Sequence, residues 1–198
     1  MEITSYLLGK KSAGGGGSSS GLDWKTLGYD PAPLPVVDDY NYSKTIQENW
    51  DASQTNLSNK FSGNTELKYM PLVDTKNATT MYRMFYGCIS LLGFPALETT
   101  NKLTDISEMF RNCQELVQVD MSHFDTTNIT SISQLFRGCG KLQKIDMRNL
   151  DFTQLTSYNY AFGSVPANCL IIVKDTTQKE WLATNFSTLT NVKTVSEL

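Results

Sequence analysis

Ile106-Ser-Glu-Met-Phe-Arg-Asn-Cys-Gln-Glu-Leu116 and Ile132-Ser-Gln-Leu-Phe-Arg-Gly-Cys-Gly-Lys-Leu142 are two copies of one pattern, 26 residues apart. Working outward from them, Phe61, Phe85, Phe110, Phe136 and Phe162 are separated by 24, 25, 26 and 26 residues. Cys88, Cys113 and Cys139 each stand three residues after one of these phenylalanines. Three residues further on stand Leu91, Leu116 and Leu142, and Leu67 takes that place after Phe61. Self-similarity sustained at a period of roughly 20–50 residues belongs to stacked repeat architectures, in which each unit contacts only its neighbours.

Within a unit the pattern changes period. Ile106, Met109, Phe110 and Cys113 fall at i, i+3, i+4 and i+7, the apolar stripe of an amphipathic helix. Met81, Met84, Phe85 and Cys88 repeat the stripe, as do Ile132, Leu135, Phe136 and Cys139. Asp105 with Glu108, and Ser131 with Gln134, have capping-box spacing, so a helix is predicted to start at each. Next comes Leu116-x-x-Val119-x-Met121, matched by Leu142-x-x-Ile145-x-Met147, Leu91-x-x-Phe94-x-Ala96 and Leu67-x-x-Met70-x-Leu72. That is the strand signature of leucine-rich repeats, in which alternate residues of one short strand pack inward. The predicted fold is an α/β solenoid of about four helix–strand coils of 24–26 residues, capped at both ends.

A solenoid otherwise exposes the core of its outermost coils, so caps are expected. Residues 22–60 read as the N-terminal cap, with a helix from Pro35 carrying Tyr42, Ile46 and Trp50 along one side. The repeats occupy 61–156, and 157–198 hold a last partial repeat and the C-terminal cap. There Leu170-Ile-Ile-Val173 reads as a strand, Asp175 with Gln178 as a helix start, and Val192-Lys-Thr-Val195 as a closing strand. The aromatic residues of both caps are expected in the core. Ala13 to Gly21 is a Gly/Ser linker. Ahead of it, residues 1–12 place Ile3, Tyr6 and Leu7 on one helical face, with Glu2 first and Lys10-Lys11 last. Such a segment is too short to be a stable helix alone, so it is either a docking peptide or a disordered leader.

Composition narrows the function. Of 198 residues 40% are hydrophobic and 19% charged, which fits a globular chain. Lys plus Arg is 17 against 20 acids, a formal net charge of -3, so the basic field that nucleic-acid binding needs is missing. The longest apolar run, Cys169 to Val173, is far short of the ~20 residues a membrane span needs. The N-terminus lacks the order of charge and apolar residues of a secretory signal, which predicts synthesis in a host cytoplasm without one.

The Met-Phe-x-x-Cys-x-x-Leu segment, the strand after it and the Asp125-Thr-Thr-Asn128-Ile-Thr130 turn resemble the BspA-like leucine-rich repeats of bacterial surface proteins. The resemblance covers residues 61–168; Asn64 and Val165 replace the cysteine in the first and last repeats. Met1 to Lys11 and its glycines look like the leader of small phage and prophage structural proteins of Gram-positive hosts. Residues 22–51 are similar to what precedes such repeats in those proteins. The resemblance implies display and attachment to a bacterial surface, protein or glycan, by a virion or tail protein released on lysis. Other virion proteins would be gripped through the N-terminal peptide. A purely architectural virion protein and a BspA-like cell-surface adhesin are the alternatives. No enzyme, cofactor, membrane or nucleic-acid partner is implied.

The residues between the inward-facing ones of each strand define the candidate binding site. They are Tyr69, Pro71 and Val73, then Gly93, Pro95 and Leu97, then Gln118, Asp120 and Ser122, then Lys144, Asp146 and Arg148. Concave solenoid faces commonly bind partners, and a solvated face without a ligand is the alternative. Cys88, Cys113 and Cys139 read as packing thiols, since zinc ligands come in closer pairs. Asp74, Glu98, Asp125 and Asp151 recur once per coil as turn-forming residues, with a calcium ladder as the alternative. Ser122 and His123, adjacent on an extended segment, are expected to point apart and to form no nucleophile–base pair.

Overall fold

The structure is a computed structural model and describes residues 45–71, 73–94, 97 and 99–198. Five parallel strands form one open sheet in chain order: β1 (Gly93–Phe94), β2 (Gln118–Asp120), β3 (Lys144–Asp146), β4 (Leu170–Val173) and β5 (Val192–Thr194). The register carries the repeat, with Gly93 opposite Gln118, Gln118 opposite Lys144 and Lys144 opposite Leu170. Parallel neighbours need a long crossover, and here each crossover between β1 and β4 is one turn of the stack. A helix α1 (Thr176–Asn185) joins β4 to β5. Asp175 caps it, its Oδ1 accepting from the Gln178 amide at 3.1 Å, as the spacing predicts.

The helices predicted at 81–88, 106–113 and 132–139 are absent, and a row of turns stands in their place. Within each row Met84, Tyr86 and Cys88 donate their amides three residues back, to Met81, Arg83 and Phe85. The intervening amides leave the coil altogether. Those of Met81, Arg83, Phe85 and Gly87 donate to the carbonyls of Asp105, Ser107, Met109 and Arg111 in the next coil, at 2.8–3.1 Å. The next two coils continue the staircase, Phe110 donating to Leu135 and Phe136 to Ala161. An α-helix would instead send its amides, past the first turn, to carbonyls four residues back in the same segment.

Two left-handed residues per coil make this possible. Asn59, Arg83, Glu108, Gln134 and Tyr160 hold φ between 53° and 57°. Gly63, Gly87, Asn112, Gly138 and Ser164, four residues later in each coil, hold φ between 63° and 83°. The reversals interrupt helical winding and turn alternate amides toward the neighbouring coil. The i, i+3, i+4, i+7 stripe survives because a turn closing at i+3 also returns side chains to one side. Accordingly, Ile106, Met109, Phe110 and Cys113 are all buried. The predicted capping boxes at Asp105 and Ser131 do not form, and Asp105 instead accepts from the Ser107 amide at 2.8 Å.

Between sheet and turns runs a file of stacked rings. Phe61, Phe85, Phe110, Phe136 and Phe162 are 5.5–5.7 Å apart, centroid to centroid. Trp50 stacks on Phe61 at one end, and Phe186 meets Phe162 edge-on at 4.9 Å at the other. Leu182 of α1 is buried against this core, with Trp181 partly buried beside it. An aromatic residue buries a large apolar area, so each coil inherits its main stabilisation from the rings above and below.

Candidate functional site

Strand register brings the predicted sheet-face residues into rows: Gln118 beside Lys144, and Asp120 beside Asp146. The face is less open than the alternation implies. Tyr69, Pro71, Val73, Gln118, Asp120, Ser122 and Arg148 are half-buried. Lys144 and Asp146 are 4% and 1% exposed, a correction to their reading as open contacts. Both stand on β3, with β2 and β4 close on either side, and Arg148 folds back so that its Nε donates to Asp146 Oδ1 at 2.9 Å. Burial pulls the Lys144 amine down to about 7, against the opposing pull of Asp146 and Asp120.

Leu97 leaves the face entirely and lies in the core, 1% exposed. Three residues separate it from Phe94, whereas five separate Val119 from Phe124 and Ile145 from Leu150. With the segment two residues shorter, Leu97 takes the core place that Phe124 and Leu150 hold in the next coils. Pro95, Glu98 and the docking-peptide residues Ile3, Tyr6 and Leu7 lie outside the described residues.

Ser122 and His123 sit in a turn after β2 rather than on an extended segment, and this brings Ser122 Oγ within 3.2 Å of His123 Nδ1. The hydroxyl donates to Asp120 Oδ1 at 2.6 Å, which leaves Nδ1 in the donor role. A serine activated for attack would hand its proton to the imidazole instead. This trio builds the turn that follows β2.

The cysteines are free and buried. Three of the four thiols donate to a phenylalanine carbonyl of the preceding coil: Cys88 to Phe61, Cys113 to Phe85 and Cys139 to Phe110, at 2.9–3.1 Å. Burial pushes Cys88 up to about 11 and Cys139 to about 12, so neither supplies a thiolate near neutrality. Of the acidic turn residues, Asp74, Asp125 and Asp151 accept from the amides of Lys76, Thr127 and Thr153 at 2.8–3.1 Å. Those are Asx-turn bonds. Among the described residues no group of three or more His, Cys, Asp and Glu side chains is placed to hold a metal ion.

Opposite the sheet lies a surface that reading by strands and stripes passes over. Around the left-handed row, Arg83 packs on Tyr82 and Tyr86, its guanidinium carbon 5.0 and 5.1 Å from their ring centroids. Arg111 lies 5.5 Å from the Tyr86 ring, and Arg137 lies 5.2 Å from that of Tyr160. Glu108 joins the first two arginines: Arg83 Nε donates to it at 3.0 Å and Arg111 Nη1 at 2.9 Å. Burial raises the Glu108 pKa, but hydrogen bonds from Arg111 and Arg83 outweigh it and hold the carboxyl below its ordinary value. Arg137 donates to Gln134 at 2.7 Å. The signal in the sequence was the pair of variable columns flanking the phenylalanines, with Arg111 and Arg137 one residue after them.

No helix among the described residues is long and apolar enough to cross a membrane. A family model described as "Mycoplasma protein of unknown function, DUF285" matches residues 37–96 and 55–174, together spanning 37–174 of the 198. No curated protein and no solved structure matches the chain.

Proposed function

The chain belongs to the DUF285 family, which is associated with BspA-like surface repeat proteins, and from that premise we propose that it is a non-enzymatic module for attachment to a bacterial surface. The observation that carries the proposal is the double ladder between coils. Strand pairing on one side and the turn staircase on the other join each coil to the next through backbone hydrogen bonds. Surface side chains of successive coils thereby keep a fixed spacing, about 4.8 Å from strand to strand. Binding to such a preorganised surface costs little ordering entropy. On the sheet side Gln118, Asp120, Ser122 and Arg148 are among the half-buried side chains open to contact. The likeness of Met1 to Lys11 to phage leaders supports a second reading, in which the same stack is carried by a virion and the leader grips another virion protein.

The test is attachment of the fluorescently labelled full chain to intact bacterial cells, alongside Gln118→Ala with Asp120→Ala. Saturable attachment to some strains, weakened about tenfold in the folded double variant, is expected. Attachment to no strain would contradict the proposal, and equal attachment by the variant would remove the sheet face from it.

A further inference from the structure

The left-handed rows of the stack are filled in two ways. One is mostly glycine, with Gly63, Gly87 and Gly138, the residue that takes such a backbone at no steric cost. The other keeps Arg83, Glu108, Gln134 and Tyr160 in four successive coils, each at φ 53–56°. Holding a large side chain there carries a steric cost that glycine does not. Those side chains assemble one surface: Arg83, Glu108 and Arg111 in a single ion-pair group, then Gln134, Arg137 and Tyr160 linked by hydrogen bond and ring contact. The row holds three arginines and one carboxylate, which pairs with Arg83 and Arg111, so it carries two surplus positive charges on a chain whose net charge is -3.

The exposed end is the more telling one. Tyr160 is 69% exposed, one of only three large hydrophobic residues so placed among the described residues. Arg137 lies over its ring, and among the described residues no carboxylate pairs with that guanidinium. One of its five N–H donors is committed, to Gln134. A guanidinium fixed against a ring keeps its donor edge oriented, and that edge matches a carboxylate or phosphate two bonds at a time. Tyrosine and arginine are also the side chains that most often dominate binding surfaces.

We propose that this turn-side row, with Arg137 and Tyr160 at its centre, is a binding surface for an anionic polysaccharide, carboxylate- or phosphate-bearing. The inference rests on the attachment reading above and adds to it a second face with a ligand class. A polymer with regularly spaced anions suits a surface whose arginines recur once per coil in three successive coils, spanning about 10 Å at ~4.8 Å per coil. Arg83 and Arg111 serve less well as probes, because removing either strips a partner from the enclosed Glu108.

The experiment measures binding of the full chain to polygalacturonate, to a phosphomannan and to neutral dextran, by interferometry at two salt concentrations. It is repeated with Arg137→Ala plus Tyr160→Ala and, separately, Gln118→Ala plus Asp120→Ala. The expected result is binding to one or both anionic polymers and not to dextran, weakened by salt. The turn-side pair should lose about tenfold or more in affinity; which polymer binds distinguishes carboxylate from phosphate. Binding to neither anionic polymer, equal binding to dextran, or an unaffected turn-side pair would overturn the inference. Cell attachment lost only in the sheet-side pair, without polymer binding, would leave the attachment reading standing and this inference fallen. Polymer binding without attachment to any cell would do the reverse.

Discussion

Along the sheet, Phe94, Val119, Ile145 and Ile171 are held in line by ordinary strand pairing, with every φ in the range any residue adopts. Along the turns, Phe85, Phe110 and Phe136 are held in line by amides that cross to the next coil between two left-handed residues. Both sides achieve the same end, a backbone bond from each coil to its neighbour. They differ in what they do to side chains. The sheet presses Lys144 and Asp146 out of contact with water, while the turns lift Arg137 and Tyr160 into it. A face predicted from strand alternation can therefore be the quieter one, and an apolar stripe can carry an exposed polar margin.

The largest test of this contrast removes the ring that serves both sides. Phe110→Ala deletes a buried side chain stacked between Phe85 and Phe136. It should cost about 3–5 kcal/mol in urea unfolding; a loss under 1 kcal/mol would mean that the ring file is not the core. Next comes Lys144 on the sheet side. Its amine is lowered to about 7 in the fold against about 10.4 in an unfolded chain. Between those values the unfolded chain holds the proton and the folded chain does not. Stability should therefore rise with pH from about 7 to about 10, with the full deficit present below 7. Lys144→Met should remove that slope and gain about 2 kcal/mol at pH 6. Parallel pH curves for the two proteins would contradict the burial of this amine.

Smaller effects sharpen the turn side. Glu108 has a depressed pKa, so its contribution is full above the unfolded value near 4.3 and fades as pH falls through the folded one. Glu108→Gln should cost about 1 kcal/mol at pH 7, and that cost should shrink as pH falls below the ordinary carboxylate range; a deficit that does not shrink would point to packing rather than charge. The two left-handed rows should also respond oppositely. Gly138→Ala puts a methyl 2.5 Å from Asn112 Oδ1 at φ +83° and should lose about 1 kcal/mol. Gln134→Gly relieves strain but frees the unfolded chain, and should stay within about 0.5 kcal/mol of wild type. Equal losses at both positions would erase the distinction between the rows.

The sequence was legible where a pattern has one structural meaning. Evenly spaced phenylalanines announce a stack, and Leu-x-x-Val-x-Met announces a strand; both lie where they were expected. It was illegible where one pattern has two meanings. Ile106, Met109, Phe110 and Cys113 satisfy a helix and an i+3 turn row equally, and Arg83, Glu108 and Gln134 give no sign of a positive φ. Gly87 and Gly138, two residues after their phenylalanines, were the available warning. Leu97 escaped because a shortened loop changes which residue meets the core, a shift that motif alignment by the strand alone does not register. The Arg137–Tyr160 margin escaped because attention to the repeated positions overlooks the variable columns between them.

The most direct measurement of the central claim is a nuclear magnetic resonance experiment that detects scalar coupling across hydrogen bonds in the full chain. The amides of Phe85, Phe110 and Phe136 should couple to the carbonyls of Met109, Leu135 and Ala161 in the following coils. Coupling instead to the residues four back, Met81, Ile106 and Ile132, would show helices in place of the staircase and contradict the account.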